Sequence, residues 1–148
     1  MQLIPVKEHV EENPEFTSNP LCQESVYMSI DFYKKVGFTS PWICYYATID
    51  EKLVGCAAYK GKPIQGKVEI AYGTFETHRN QGIGARICRV LVELALQTDP
   101  SLQVTARPLP DNNFSTKILQ KNGFQFSGVV DDPEDGEVWE WEYKKGSL

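Results

Sequence analysis

The stretch THRNQGIGAR, residues 77–86, places an arginine, a glutamine and two near-adjacent glycines at what the spacing predicts is the opening of a helix. A strand, a glycine turn and a helix start bring several unpaired backbone N–H groups to one point, together with the positive end of the helix dipole. Such a point holds anions. Gly82 and Gly84 would let a phosphate approach the main chain, and Arg79 and Gln81 can add side-chain donors. The glycines taken alone are equally consistent with a plain turn carrying a solvated Arg79. Two familiar phosphate motifs do not fit: the dinucleotide pattern needs glycine where the chain has Ile87, and no Gly-Lys-Ser/Thr stands at the helix entry.

The elements that must position this loop follow from periodicity. KVEIAYGTF, residues 67–75, reads as a strand, and Gly73 inside it predicts a bulge and a bend just before the loop. From Ile83, the residues Ile87, Val90, Leu91 and Leu94 hold one face of a helix that Asp99 and Pro100 stop. Upstream, residues 1–6 read as a short edge strand, Pro5 excluding a central place. Residues 19–38 read as a helix entered at Asn19-Pro20 and ended by Gly37, with Val26, Ile30 and Tyr33 at helical spacing. Residues 43–61 read as two strands around a turn at Asp50 and Glu51. Downstream come a strand in SLQVTARPLP (101–110), a short helix in NNFSTKILQKNGF (112–124) and a hairpin over residues 126–144 that turns at Pro133–Gly136. Strands and helices intermix without a linker or repeat, which indicates one α+β or α/β domain over residues 1–148.

Composition narrows the function. Apolar residues make up 41% and charged residues 24%, ordinary for a soluble protein, and no run approaches the roughly 20 apolar residues of a membrane span. The opening MQLIPVKEHVEENPE does not read as a signal peptide, so a cytoplasmic location is expected, with no membrane partner. A net charge of -5 argues against nucleic acid, which needs clustered Lys and Arg. Cys22, Cys44, Cys56 and Cys88 lie far apart with only two histidines to accompany them, so neither a metal site nor a disulfide framework is expected.

A third phosphate pattern does fit. R-x-x-G-x-G, here Arg79, Asn80, Gln81, Gly82, Ile83 and Gly84, resembles the acyl-CoA pyrophosphate loop of the GNAT acetyltransferase superfamily. Asn112, Ser115, Leu119, Lys121, Gly123 and Phe124 resemble the N-x-x-S-x-x-x-L-x-K-x-G-F segment of the branch that includes the ribosomal-protein N-terminal acetyltransferases. The resemblance spans roughly residues 42–145, and residues 1–41 match in element order only.

This resemblance implies a mixed, mostly antiparallel sheet of six or seven strands flanked by helices in three layers, with the fourth and fifth strands splayed. It implies acetyl-CoA as donor and an amine as acceptor, and dimers are common in the superfamily. The backbone of Thr74 and Phe75 would pair with the pantetheine amides. The pyrophosphate would rest on the N–H groups of Gln81, Gly82, Ile83, Gly84 and Ala85, with Arg79 and Asn80 beside them and Asn112 reaching in from the far side of the cleft. A branched side chain at position 84 is expected to exclude it.

An acyl thioester is already activated, so the enzyme must deprotonate an amine and let a thiolate leave. Glu69, on the strand feeding the loop, is the candidate base, the alternative being a carboxylate in a surface ion pair. Leu119 stands where many members carry a tyrosine acid; resemblance to the N-x-x-S branch implies a serine in that role instead, here Ser115, its alternative role being a helix cap. Tyr72 is a further candidate donor or a core residue, and His78 lines the loop. The same departures keep open a second reading, an acyl-CoA-binding sensor. The acceptor cleft would lie between residues 19–40 and 125–145, where Asp131, Asp132, Glu134, Asp135, Glu137, Glu140 and Glu142 form either a cation-attracting cluster or a solvated turn.

Overall fold

The computed structural model describes residues 1–108 and 113–144. It contains strands β1 (Gln2–Pro5), β2 (Cys44–Ile49), β3 (Lys52–Tyr59), β4 (Lys67–Thr74), β5 (Gln103–Ala106), β6 (Phe124–Asp132) and β7 (Gly136–Tyr143). The helices are α1 (Pro14–Thr17), α2 (Gln23–Val36), α3 (Ile83–Thr98) and α4 (Asn113–Lys121). One seven-stranded sheet runs β1-β2-β3-β4-β5-β7-β6. Every pairing is antiparallel except that of β4 with β5.

Alternation along β4 separates two faces. Val68 and Ile70 are buried on the face that α3 covers with Ile83, Ile87, Leu91 and Ala95, one helical stripe. Tyr59, opposite Ile70, lies on this face and its hydroxyl donates to the Leu91 carbonyl at 2.6 Å. Burying side chains such as Ile87 and Leu91 stabilises by about 1.5–3 kcal/mol each. Glu69, Ala71 and Gly73 face the other way, beside Cys44 and Tyr46, where α2 packs. Tyr33 anchors that helix: its hydroxyl donates to the Val6 carbonyl at 2.7 Å and accepts the Cys44 N–H at 2.9 Å.

Several elements differ from the sequence reading. The helix predicted from Asn19 starts at Gln23, because the Asn19 side chain takes the Leu21 N–H and its carbonyl takes those of Cys22 and Gln23, closing a turn ahead of the helix. The short α1 was not legible at all. It rests on buried Asn13, whose side chain bonds Lys7 N and O and His9 O. The bulge expected at Gly73 is absent: β3 and β4 stay in register through Cys56 opposite Gly73. Irregularities fall instead between Ala47 and Thr48 and between Phe126 and Gly128. The strand expected within 101–110 is Gln103–Ala106, two residues short of Pro108, which cannot donate to a ladder.

The hairpins match their turn chemistry. Asp50 and Glu51 both adopt positive φ, 51° and 66°, in the two-residue β2–β3 turn. In the β6–β7 turn, Asp132 Oδ1 accepts the N–H groups of Glu134 and Asp135. Phe126 stacks edge-on against Trp139 and Trp141, and Phe124 against Tyr143, so these aromatics pack the sheet across strands.

Candidate active site

The parallel ladder between β4 and β5 ends with Ile70 opposite Ala106, while β4 continues to Thr74. The strands therefore part, as the fold expectation required. Main-chain polarity on β4 is set by its bonds to β3: Lys60 N–H donates to the Glu69 carbonyl at 2.8 Å and Phe75 N–H to the Val54 carbonyl at 2.9 Å. Odd-numbered residues thus bond β3, and the main chains of Tyr72 and Thr74 turn toward the gap. Phe75 does not join them. Its N–H is held by Val54 and its carbonyl accepts from His78, so of the two residues expected on this edge only Thr74 presents main chain to the gap. An added Cβ on the exposed Gly73 would meet nothing within 4 Å, which leaves clear space over the sheet face at that point.

After a short turn at Glu76–His78, Asn80 and Gly82 take positive φ, 64° and 73°, and Gly82 leads directly into α3. The first helical bond runs from Arg86 N–H to the Gly82 carbonyl, and Gly82 has no side chain with which to cap the helix. Among the described residues, the N–H groups of Ile83, Gly84 and Ala85 consequently have no acceptor. Arg79, Asn80, Gln81 and Gly82 are exposed around them. His78 Nδ1 lies 3.0 Å from Thr77 Oγ1, on the loop surface.

Gly84 also has a packing role that its spacing does not reveal. It is buried, and an added Cβ would stand 3.0 Å from Ile118 Cδ1 and 3.3 Å from Thr74 Oγ1. The glycine lets α3 close on α4 and β4. Gly84→Val is therefore expected to lower stability by about 1–3 kcal/mol through overpacking, read as a lower urea midpoint; an unchanged midpoint would contradict this placement. Asn122 braces the same junction, its Nδ2 donating to the carbonyls of Ala85 at 3.2 Å and Ile118 at 3.0 Å.

A cavity of about 210 Å³ opens where β4 and β5 part, lined by Glu69, Tyr72, Arg107, Ser115 and Leu119 among others. It joins residues from both faces of the sheet. The Glu69 side chain is 20% exposed, with Oε1 3.7 Å from Arg107 Nε. Burial pushes its carboxyl above the usual range, assisted by Asp132 and Glu140 and opposed by Arg107 and Lys60. Ser115, half-buried in the first turn of α4, reaches the cavity from the opposite side, one turn before Leu119, which is 1% exposed. The Tyr72 hydroxyl is buried beside the Cys88 thiol of α3 and meets no acceptor among the described residues, which suits packing better than proton donation. Asn112 lies outside the described residues.

A second groove, of about 400 Å³, runs between α2 and the sheet along Met28, Phe32, Cys44 and Ala58, and meets the first at Lys60 and Ala71. The acidic hairpin divides in two. Asp131, Glu134, Asp135 and Glu137 are exposed, whereas Glu140 and Glu142 are drawn into ion pairs with Lys67, Arg107 and Lys144. Arg107 and Asn122 were not recognised from sequence, because neither belongs to a local pattern: Glu140, which accepts the Arg107 hydrogen bond, is 33 residues away, and Ala85, which Asn122 reaches, is 37 residues away. Among the described residues, no group of three His, Cys, Asp or Glu side chains could hold a metal ion, and no helix is long and apolar enough to cross a membrane.

A mixed sheet splayed between its central parallel strands, with an uncapped helix at the mouth of the gap, defines the GNAT architecture. Residues 6–125 match the model of the acetyltransferase (GNAT) domain family, and the chain belongs to that family. It is 34% identical over 74 residues to an uncharacterised N-acetyltransferase, YjdG, of Bacillus subtilis (strain 168). The match covers 49% of this chain and 44% of YjdG, so it spans less than half of that relative. Among solved structures, AAC(6')-Ib in complex with paromomycin and acetyl-CoA aligns with a TM-score of 0.68 at 18% identity, over 99% of this chain and 93% of that one. The ribosomal L7/L12 alpha-N-protein acetyltransferase RimL, in complex with coenzyme A, aligns with a TM-score of 0.63 at 16% identity, over 88% and 76%. These structures share the fold.

Proposed function

We propose that this protein is an acetyl-CoA-dependent N-acetyltransferase, acting through a single domain, that moves an acetyl group directly to a primary amine. The observation that supports the reading is the cavity between β4 and β5, whose lining includes both Glu69 and Ser115. The free edge at Thr74 and the bare N–H groups of Ile83–Ala85 border the same gap.

Acetyl-CoA, when bound, supplies an activated thioester. Thr74 pairs with the pantetheine amides through its main chain, in the manner of an added strand. Gln81, Gly82, Ile83, Gly84 and Ala85 receive the pyrophosphate, with Arg79 and Asn80 at its rim. The groove between α2 and the sheet admits the amine on the face that carries Glu69. Glu69 accepts, directly or through a water, the proton that the amine nitrogen loses as it bonds the acetyl carbon. Ser115 gives a proton to the sulfur as the C–S bond breaks. A carboxylate held above its ordinary proton affinity suits the first step, because a base works best with its pKa near the operating pH.

Buried Leu119 offers no proton one turn beyond Ser115, which favours a second reading as a weakly catalytic acyl-CoA-binding domain. Incubation with acetyl-CoA and a panel of small amines and peptide N-termini separates the two. Transfer is expected to release free CoA thiol and to add an acetyl mass to an amine. Tight CoA binding with no thiol across the panel would sink the enzymatic reading in favour of the sensor.

A further inference from the structure

Where β4 and β5 part, backbone bonds no longer join them, and the residue at that point is Arg107. Its guanidinium meets carboxylates from three strands. Nε lies 3.7 Å from Glu69 Oε1 on β4, Nη1 3.7 Å from Asp132 Oδ2 at the end of β6, and Nε and Nη2 each 3.1 Å from Glu140 Oε2 on β7. The arginine side chain is only 28% exposed, so these attractions are less screened than those of surface pairs. The three contacts are not equivalent. Glu140 takes the short hydrogen bond and is further compensated by Lys67 at 3.6 Å. Glu69, at 3.7 Å, feels the positive charge without a hydrogen bond from it, so its oxygens keep their capacity to receive a proton. Asp132 has its other oxygen fixed by the N–H groups of the hairpin turn.

We propose that Arg107 is a positioning residue for acetyl transfer: it holds the Glu69 carboxylate at the mouth of the gap and ties it to the β6–β7 hairpin that borders the acceptor side. The inference rests on Glu69 as the base. Without the guanidinium, Glu69, Asp132 and Glu140 would face one another with only Lys60 and Lys67 nearby, and Glu69 would hold its proton to higher pH.

The test compares Arg107→Gln and Arg107→Lys with the unaltered protein by two readouts. Titration of the Glu69 side-chain carboxyl carbon by NMR reports the coupling without any need for turnover. The acid limb of kcat/KM for acetyl transfer reports its consequence. Arg107→Gln is expected to raise the Glu69 midpoint by about 1–3 pH units and to move the acid limb with it, and Arg107→Lys to recover part of both. An unmoved Glu69 midpoint in folded Arg107→Gln overturns the proposal, as does a moved midpoint with an unmoved acid limb. Glu69→Gln with unaltered transfer would instead overturn the assignment of Glu69 as base, whatever the NMR titration shows. Should Arg107→Gln fail to fold, Arg107→Gln combined with Glu140→Gln removes one of the stranded carboxylates. Its Glu69 midpoint is then compared with that of Glu140→Gln alone, with the same upward shift expected and the same unmoved midpoint overturning the proposal.

Discussion

Glu69→Gln is expected to slow acetyl transfer by about 10²- to 10⁴-fold, the usual contribution of a positioned general base, while leaving CoA affinity unchanged. Glutamine keeps the volume of the side chain and can still face Arg107, so the cavity should persist. What it loses is basicity. The carboxyl sits half-buried at the gap, on the sheet face opposite α3 and away from the main-chain groups assigned to the donor, which is why binding and catalysis should separate. The sign of the pH dependence follows from the shift. Glu69 must be ionised to accept a proton, and burial raises its pKa, so the rate should climb with pH through a midpoint above the ordinary carboxylate range. In Glu69→Gln that limb should disappear. The check is a pH profile of kcat/KM beside a calorimetric CoA titration; rates matching the unaltered protein at every pH would remove Glu69 from the mechanism.

Gly82→Val is the corresponding prediction for the donor site. Gly82 holds φ at 73°, a conformation that costs a β-branched residue about 1–3 kcal/mol. An added Cβ meets no atom within 4 Å, so the substituted chain has room, but the isopropyl group would stand at the entrance to the bare N–H groups of Ile83, Gly84 and Ala85. Loss of even part of that contact, at about 1.4 kcal/mol per factor of ten, should weaken acetyl-CoA binding about 10- to 100-fold. Gly84→Val, by contrast, acts on packing against Ile118 and Thr74 and should show first in stability. A folded Gly82→Val protein that binds acetyl-CoA normally would exclude this loop as the pyrophosphate site.

Local chemistry made much of this legible in advance. The α3 stripe at Ile83, Ile87 and Leu91 repeats at helical spacing, and Asp50-Glu51 and Pro133–Gly136 fall between alternating strands, so helix and hairpins could be placed from neighbours in sequence. The loop was legible because its glycines, its arginine and the helix that follows are contiguous. What depended on distant partners was not. Whether Thr74 or Phe75 faces the gap is decided by which carbonyl of β3 each meets, and the packing role of Gly84 emerges only when Ile118 is folded against it. Gly73 illustrates the same limit: its freedom from neighbours is visible only in three dimensions, where it proves to leave space without breaking register. Arg107 follows a four-residue strand and precedes a proline, an unremarkable position until Glu69, Asp132 and Glu140 converge on it.

The claim that main chain holds the donor in this gap is tested most directly by amide hydrogen exchange resolved by residue, with and without acetyl-CoA. Binding is predicted to slow exchange at Thr74 and at Ile83, Gly84 and Ala85, whose N–H groups face the gap or lack an acceptor. Phe75, already bonded to Val54, should change little. Unaltered exchange at Thr74 and at Ile83–Ala85 under saturating acetyl-CoA, or protection confined to the groove between α3 and β7 around Arg89 and Gln97, would contradict the account.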